Sequence, residues 1–135
     1  MAVELETLLV PDAGAWRAWL LTHHATSPGV WLVIGTKGGS LTALSYDAAV
    51  EEALCFGWID GQAQRGEAGS YRQRMTRRRP RSPWSVSNVE RVARLEREGR
   101  MQEPGRAVVR AAMADGRWDA AYGEPRTPRP PAGTD

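Results

Sequence analysis

The chain has 135 residues, of which 41% are hydrophobic and 25% are charged. This length suits one domain, and the composition excludes a disordered chain, a collagen and a coiled coil. There is no apolar run of roughly 18 residues, and the acidic N-terminus lacks the basic start of a signal peptide, so we expect a cytoplasmic protein with no membrane span. A single cysteine excludes an internal disulfide.

Charge is distributed unevenly along the chain. Residues 1–70 hold 3 basic and 8 acidic side chains, a net charge of −5, whereas residues 71–135 hold 15 basic and 8 acidic side chains, a net charge of +7. Every basic residue except Lys37 is arginine. The arginine fork suits phosphates and carboxylates, which favours an anion-binding surface. The codon usage of a GC-rich genome explains the same bias, and both explanations stay open.

The first part of the chain predicts a helix followed by a strand. Asp12 is placed to cap a helix over about 12–24, and Trp16 and Trp19 fall on one face of it. Residues 30–34, Val-Trp-Leu-Val-Ile, are β-branched or aromatic apart from one leucine and predict a strand.

A second helix and a β-hairpin follow. Ser45 predicts the cap of a helix over about 46–56, which Gly57 ends in a left-handed conformation. Aromatic or polar side chains alternate with apolar or small ones over residues 58–64, which predicts a strand. A glycine-containing turn joins this strand to a second one over 71–76.

The last part of the chain predicts an irregular loop, two helices and a tail. Two prolines make residues 77–84 a loop. Ser87 begins a capping box for a third helix, and a fourth helix is expected over about 104–115. Residues 123–135 contain four prolines and no apolar run, which predicts a disordered tail.

The predicted order of elements is helix, strand, helix, two strands, then two helices. This order favours an α+β fold in which a small, mainly antiparallel sheet is covered by helices. We therefore expect a single domain over residues 1–122, followed by the Pro-rich tail.

Asp60 is the strongest candidate for chemistry. Simple alternation places it on one strand face with Trp58, Gln62 and Gln64. One interpretation is a cross-strand ion pair with Arg72 or Arg74 of the second hairpin strand. The other is an acid, base or ligand anchor in a pocket, where burial shifts the pKa of a carboxyl group.

The loop after the hairpin is rich in arginine. Five of the eight residues 74–81 are arginine, and Trp84 follows as a stacking surface. This combination suits an anionic ligand or partner, although a solvated loop has the same composition. Nucleic acid is the less favoured ligand, because the net charge is only +2 and no nucleic-acid-binding signature is present.

We therefore predict one concave ligand site built from the hairpin and this loop. It comprises six residues: Trp58, Asp60, Arg74, Arg78, Ser82 and Trp84. Cys55 is interpreted as a buried structural thiol. His23 and His24 are adjacent rather than at the i, i+4 spacing of helical metal ligands, so we expect no metal and no cofactor.

Several longer motifs occur in a specific order. The most specific is residues 46–61, Tyr-Asp-Ala-Ala-Val-Glu-Glu-Ala-Leu-Cys-Phe-Gly-Trp-Ile-Asp-Gly. The others lie at 16–20, 29–32, 71–85, 99–101 and 115–122. Together they resemble the bacterial YdeI/OmpD-associated family, also described as bacteriocin-protection proteins. Two departures are Arg77, where the family usually has proline, and a Pro-rich tail in place of the usual helical C-terminal portion.

The resemblance implies an accessory protein of stress or antimicrobial tolerance that binds a small or anionic ligand or a protein partner. A homo-oligomer is compatible with this role. One alternative is a small cofactor-independent enzyme that uses Asp60 as its acid or base. A second alternative is a weak nucleic-acid binder that uses the arginine-rich loop.

Overall fold

The computed structural model describes residues 4–122. Its elements are β1 (Glu6–Leu8), α1 (Ala13–His23), β2 (Val30–Gly35), α2 (Tyr46–Cys55), β3 (Trp58–Arg65), β4 (Ser70–Arg77), α3 (Val86–Arg97), α4 (Glu103–Ala114) and α5 (Arg117–Ala120). The fold is α+β, as the sequence predicts. The predicted tail, residues 123–135, lies outside the described residues.

The four strands form one sheet in the order β1-β2-β4-β3. β1 runs parallel to β2, whereas β2 and β3 both run antiparallel to β4. β4 is therefore an inner strand of the sheet, and β3 is an outer strand. The sequence does not predict β1, because three residues provide too short a pattern for recognition.

The core lies between one face of the sheet and the helices. Val30, Leu32 and Ile34 alternate along β2 and are fully buried. Trp16 of α1 belongs to the same core, and its indole Nε1 donates a hydrogen bond to the carbonyl of Ala49 at 3.0 Å. This bond ties α1 to α2. No helix within residues 4–122 has the length and apolar character needed to cross a bilayer.

Side-chain caps fix where three helices begin. Asp12 and Ser45 each accept a backbone N–H bond at the start of their helix, as predicted. The predicted cap at Ser87 is wrong. Ser85 caps α3 instead, because its hydroxyl oxygen accepts from the backbone N–H of Asn88 at 3.1 Å.

A β-bulge interrupts β3 and changes which side chains share a face. Asp60 lies opposite Met75, whereas Ala63 lies opposite Gln73, so β3 has one residue more than β4 between these pairs. The predicted common face of Trp58, Asp60, Gln62 and Gln64 is therefore wrong beyond Asp60. The extra residue moves Ala63 to the side of the sheet on which Asp60 lies.

Candidate functional site

Arg78 follows β4 directly and is the most unusual charged residue of the fold. Its backbone N–H donates to the carbonyl of Gly57, which fixes the start of the loop. Its guanidinium lies over the ring of Trp84, with 3.7 Å between the guanidinium carbon and the ring centroid. One terminal nitrogen donates to the carbonyl of Pro83 at 3.1 Å, and the residue is only 8% exposed.

The buried guanidinium has donors without acceptors. Within residues 4–122, its Nε and Nη2 and the indole Nε1 of Trp84 are buried and have no hydrogen-bond partner. No carboxylate of these residues lies within 4.0 Å of Arg78. Burial lowers the pKa of Arg78 to about 10, with a further lowering by Arg117 and a partial offset by Asp60. Buried donors of this kind are costly unless an acceptor is supplied.

α5 forms one side of this site. Trp118 lies against Trp84, with ring centroids 5.0 Å apart and planes inclined by 59°. Arg117 donates to the carbonyl of Ser82 at 2.9 Å and pairs with Asp115 at 2.8 Å. These contacts hold the loop that carries Arg78 against α5.

Asp60 has a neutral partner rather than an arginine. The hydroxyl of Tyr46, at the start of α2, donates to Oδ2 of Asp60 at 2.6 Å. Burial raises the pKa of Tyr46 to about 12, and the hydrogen bond to the Asp60 carboxylate contributes to the same rise. Tyr46 therefore keeps its proton and orients the carboxylate.

Tyr46→Phe should lower the free energy of unfolding by about 1 kcal/mol near neutral pH, because a hydrogen bond to a charged acceptor is lost. Below pH 10 both folded and unfolded chains hold the tyrosine proton. Between pH 10 and about 12 the unfolded chain releases it first, so the stabilising effect of Tyr46 declines. Urea titrations from pH 7 to pH 11 should show the deficit of the variant shrinking above pH 10. Tyr122→Phe, at an exposed position, is the control and should show no such deficit.

The predicted ion pair between Asp60 and Arg72 or Arg74 is wrong. Arg74 lies opposite Trp31 of β2, and it alternates with Met75, the partner of Asp60. Arg72 and Arg74 therefore lie on the sheet face away from Asp60, because neighbouring residues of a strand point to opposite faces.

The structure brings together only part of the predicted six-residue site. Trp58 is fully buried among Trp16 and Trp19, with centroids 6.3 and 5.7 Å away, so it is core rather than a cleft wall. Arg78 and Arg74 line one cavity of about 300 Å³ at the end of β4.

Ser82 fixes the shape of the loop rather than facing a cleft. Its hydroxyl oxygen accepts from the backbone N–H of Arg79 at 3.1 Å. Trp84, in contrast, lies in direct contact with Arg78.

Cys55 is fully buried, as interpreted from the sequence, and burial raises the pKa of its thiol. His24 contacts its own helix through Nδ1, 2.8 Å from the carbonyl of Leu20. Residues 4–122 contain no group of three or more histidine, cysteine or acidic side chains with the geometry of a metal site.

Sequence reasoning missed three residues of the site: Tyr46, Arg117 and Trp118. Tyr46 reaches Asp60 across 14 residues, from the start of a helix to a strand, and no local pattern indicates that contact. No local pattern predicts a place in the site for Trp118. Its contact with Trp84 depends on how α5 folds back.

The fold and the site define a small α+β domain with a buried arginine that lacks a counterion within the described residues. Residues 8–108 match the model of a family described as a domain of unknown function (DUF8412), and the chain belongs to that family. The matched range includes Tyr46, Asp60, Arg78 and Trp84. The comparisons with curated proteins and with solved structures give no match.

Proposed function

We propose that this protein binds a small molecule through an anionic group, which Arg78 holds beside Trp84. One observation supports the proposal above all others. The Arg78 guanidinium is buried with two N–H-bearing nitrogens lacking an acceptor, and the Trp84 indole nitrogen beside it also lacks one. A carboxylate or phosphate oxygen would satisfy donors that the described part of the chain leaves unsatisfied.

The surroundings suit a ligand that combines an anion with an apolar or aromatic part. Trp84 and Trp118 provide aromatic surface next to the guanidinium. The adjoining cavity of about 300 Å³ is at the small end of the range for small-molecule sites. Asp60, held by Tyr46, adds a negative group nearby that would select against ligands with a second anionic group on that side.

The resemblance to bacteriocin-protection proteins supports a physiological role for such binding. In that role the protein is an accessory factor of stress or antimicrobial tolerance and acts by retaining its ligand without turnover. The second candidate is a cofactor-independent enzyme. It is favoured by the short hydrogen bond between Tyr46 and Asp60, which orients a carboxylate for proton transfer.

Arg78→Met should abolish ligand retention and raise the free energy of unfolding by about 1 kcal/mol. Burying an unpaired cation costs several kcal/mol. This cost exceeds the stabilisation that the variant loses with the cation–π contact and the single hydrogen bond. Thermal shift and calorimetric titration with inorganic phosphate and with benzoate would test the first part, and urea unfolding the second. Arg97→Met is the matched control, because Arg97 is exposed and has no ion pair within residues 4–122.

Mass spectrometry of the purified protein after incubation with a bacterial metabolite extract separates the two candidates. A binding protein retains a metabolite that Arg78→Met does not retain. An enzyme yields an altered metabolite, and Asp60→Asn prevents the alteration while the fold survives. A loss of stability in Arg78→Met with anion binding unchanged would refute the site and identify Arg78 as a structural residue.

A further inference from the structure

The arginines within residues 4–122 differ in whether they have a carboxylate partner. Seven arginines form ion pairs with carboxylates within residues 4–122: Arg17, Arg91, Arg94, Arg100, Arg106, Arg110 and Arg117. Six of them lie on helices, and Arg100 lies between α3 and α4. The arginines of the hairpin and its loop have no such pair. Apart from Arg97, the helical arginines within residues 4–122 are therefore neutralised, whereas those of the hairpin and its loop are not.

Three arginines without a carboxylate partner within residues 4–122 lie along β4 and the loop after it, and we call them the basic strip: Arg72, Arg74 and Arg79. Arg65 and Arg77 pair with Tyr71 and Trp58 and therefore lie on the other face of the sheet. Arg72 and Arg74 lie on the same face of β4, two residues apart. Arg65 and Arg72 line a cavity of about 410 Å³, and a second cavity of about 300 Å³ is lined by Arg74, Arg77, Arg78 and Arg79. Glu67 is the one carboxylate that lines either cavity in the described part of the chain.

We propose that the basic strip binds single-stranded nucleic acid. β4 has eight residues and is about 26 Å long, so the strip presents repeated cations along an extended path rather than at one point. A single small anion would occupy one cavity and leave the other unsatisfied. A chain of phosphates can occupy both.

An aromatic side chain lies beside the strip. Trp31 of β2 lies opposite Arg74 and Thr7, on the same face of the sheet, and is half-buried. Bases stack on such rings whatever their sequence, and arginine adds planar stacking that lysine does not. A lipid surface fits less well, because Leu41 is the one exposed large apolar side chain that lines either cavity within the described residues.

The low net charge of +2, which disfavoured nucleic acid at the level of sequence, conceals this arrangement. The helical arginines cancel against acidic neighbours, so the whole-chain sum underestimates the local field at the strip. The strip shares the cavity at the end of β4 with the anion site at Arg78 and extends beyond it to the cavity that Arg72 lines.

Fluorescence anisotropy of a labelled single-stranded oligothymidine tests the proposal with the full chain, from about 50 to 200 mM salt. Each phosphate neutralised contributes about −0.7 to the slope of log affinity against log salt. Arg72→Gln/Arg74→Gln should therefore reduce the magnitude of the slope by about 1.4, and Arg79→Gln by about 0.7. Arg72→Lys/Arg74→Lys should retain the slope, and Arg97→Gln should leave it unchanged.

Three results would overturn the proposal. They are no binding at the lowest salt, an unchanged slope in both glutamine variants, and equal competition by polyglutamate, which would indicate an acidic protein partner. Circular dichroism of each variant excludes unfolding as the cause, and Arg79→Gln removes a side chain that makes no hydrogen bond within residues 4–122. Arg72 lines the cavity that the Arg78 site does not use, so Arg72→Gln separates the two proposals: it should reduce the slope by about 0.7 and leave phosphate binding at Arg78 unchanged.

Discussion

Glu52→Gln is expected to lower the free energy of unfolding by about 2 to 3 kcal/mol, because it removes a buried charge that two arginines share. Glu52 is 6% exposed. Its two oxygens accept from Arg17 at 2.7 Å and from Arg100 at 2.8 Å. Arg17 also donates to the carbonyl of Arg100 at 3.0 Å, so the cluster joins α1 and α2 to the segment between α3 and α4. Urea unfolding monitored by tryptophan fluorescence would measure the loss.

The matched control for this prediction is Glu96→Gln. Glu96 accepts hydrogen bonds from Arg106 on the surface, where its side chain is 48% exposed. Exposed ion pairs contribute little, so this change should cost less than about 0.5 kcal/mol. Equal losses for the two variants would show that the Glu52 cluster adds nothing beyond a surface pair.

Gly105→Ala is expected to destabilise the protein by about 3 kcal/mol or to prevent folding. In an ordinary helix position the same change stabilises by about 0.5 to 1 kcal/mol, because alanine is the better helix former. At Gly105 an added Cβ would lie 2.4 Å from the carbonyl oxygen of Cys55 and 2.6 Å from that of Leu54. These are backbone atoms at the end of α2, and they cannot move aside as a flexible side chain could.

Gly14→Ala is expected to have the opposite effect on stability. Gly14 lies in the first turn of α1, and the nearest atom to an added Cβ is Oδ1 of Asp12 at 3.6 Å, an ordinary contact. This variant should be slightly more stable than the parent chain in thermal unfolding. If Gly105→Ala were also stabilised, α4 would not pack on the end of α2 as closely as described.

Local signals were sufficient to predict most of the helices and strands. Asp12 and Ser45 indicate helix starts because a cap is a contact between residues three apart. Gly57 indicates a helix end because its φ of 78° is unfavourable for other residues. The predicted cap at Ser87 is wrong because Ser85, two residues earlier, can make the same contact. The position of the loop decides which serine caps α3.

The candidate site depended on information that is not local. The side of the sheet on which Arg74 lies is set by its pairing with Trp31, and the bulge in β3 alters the alternation that a sequence pattern assumes. The contact between Arg78 and Trp84 was predictable, because a loop that returns to begin α3 must bring these residues close together. That Arg78 has no carboxylate partner within residues 4–122 depends on the packing of several elements at once.

The bulge in β3 also affects how the sheet meets other chains. β3 is the outer strand beyond β4, and an outer strand with regular spacing exposes a row of backbone N–H and C=O groups that can template intermolecular pairing. The extra residue between Asp60 and Ala63 breaks that row near its middle. The other outer strand, β1, has three residues and provides little length for pairing. Both edges of this four-stranded sheet are thereby protected against growth into an aggregate.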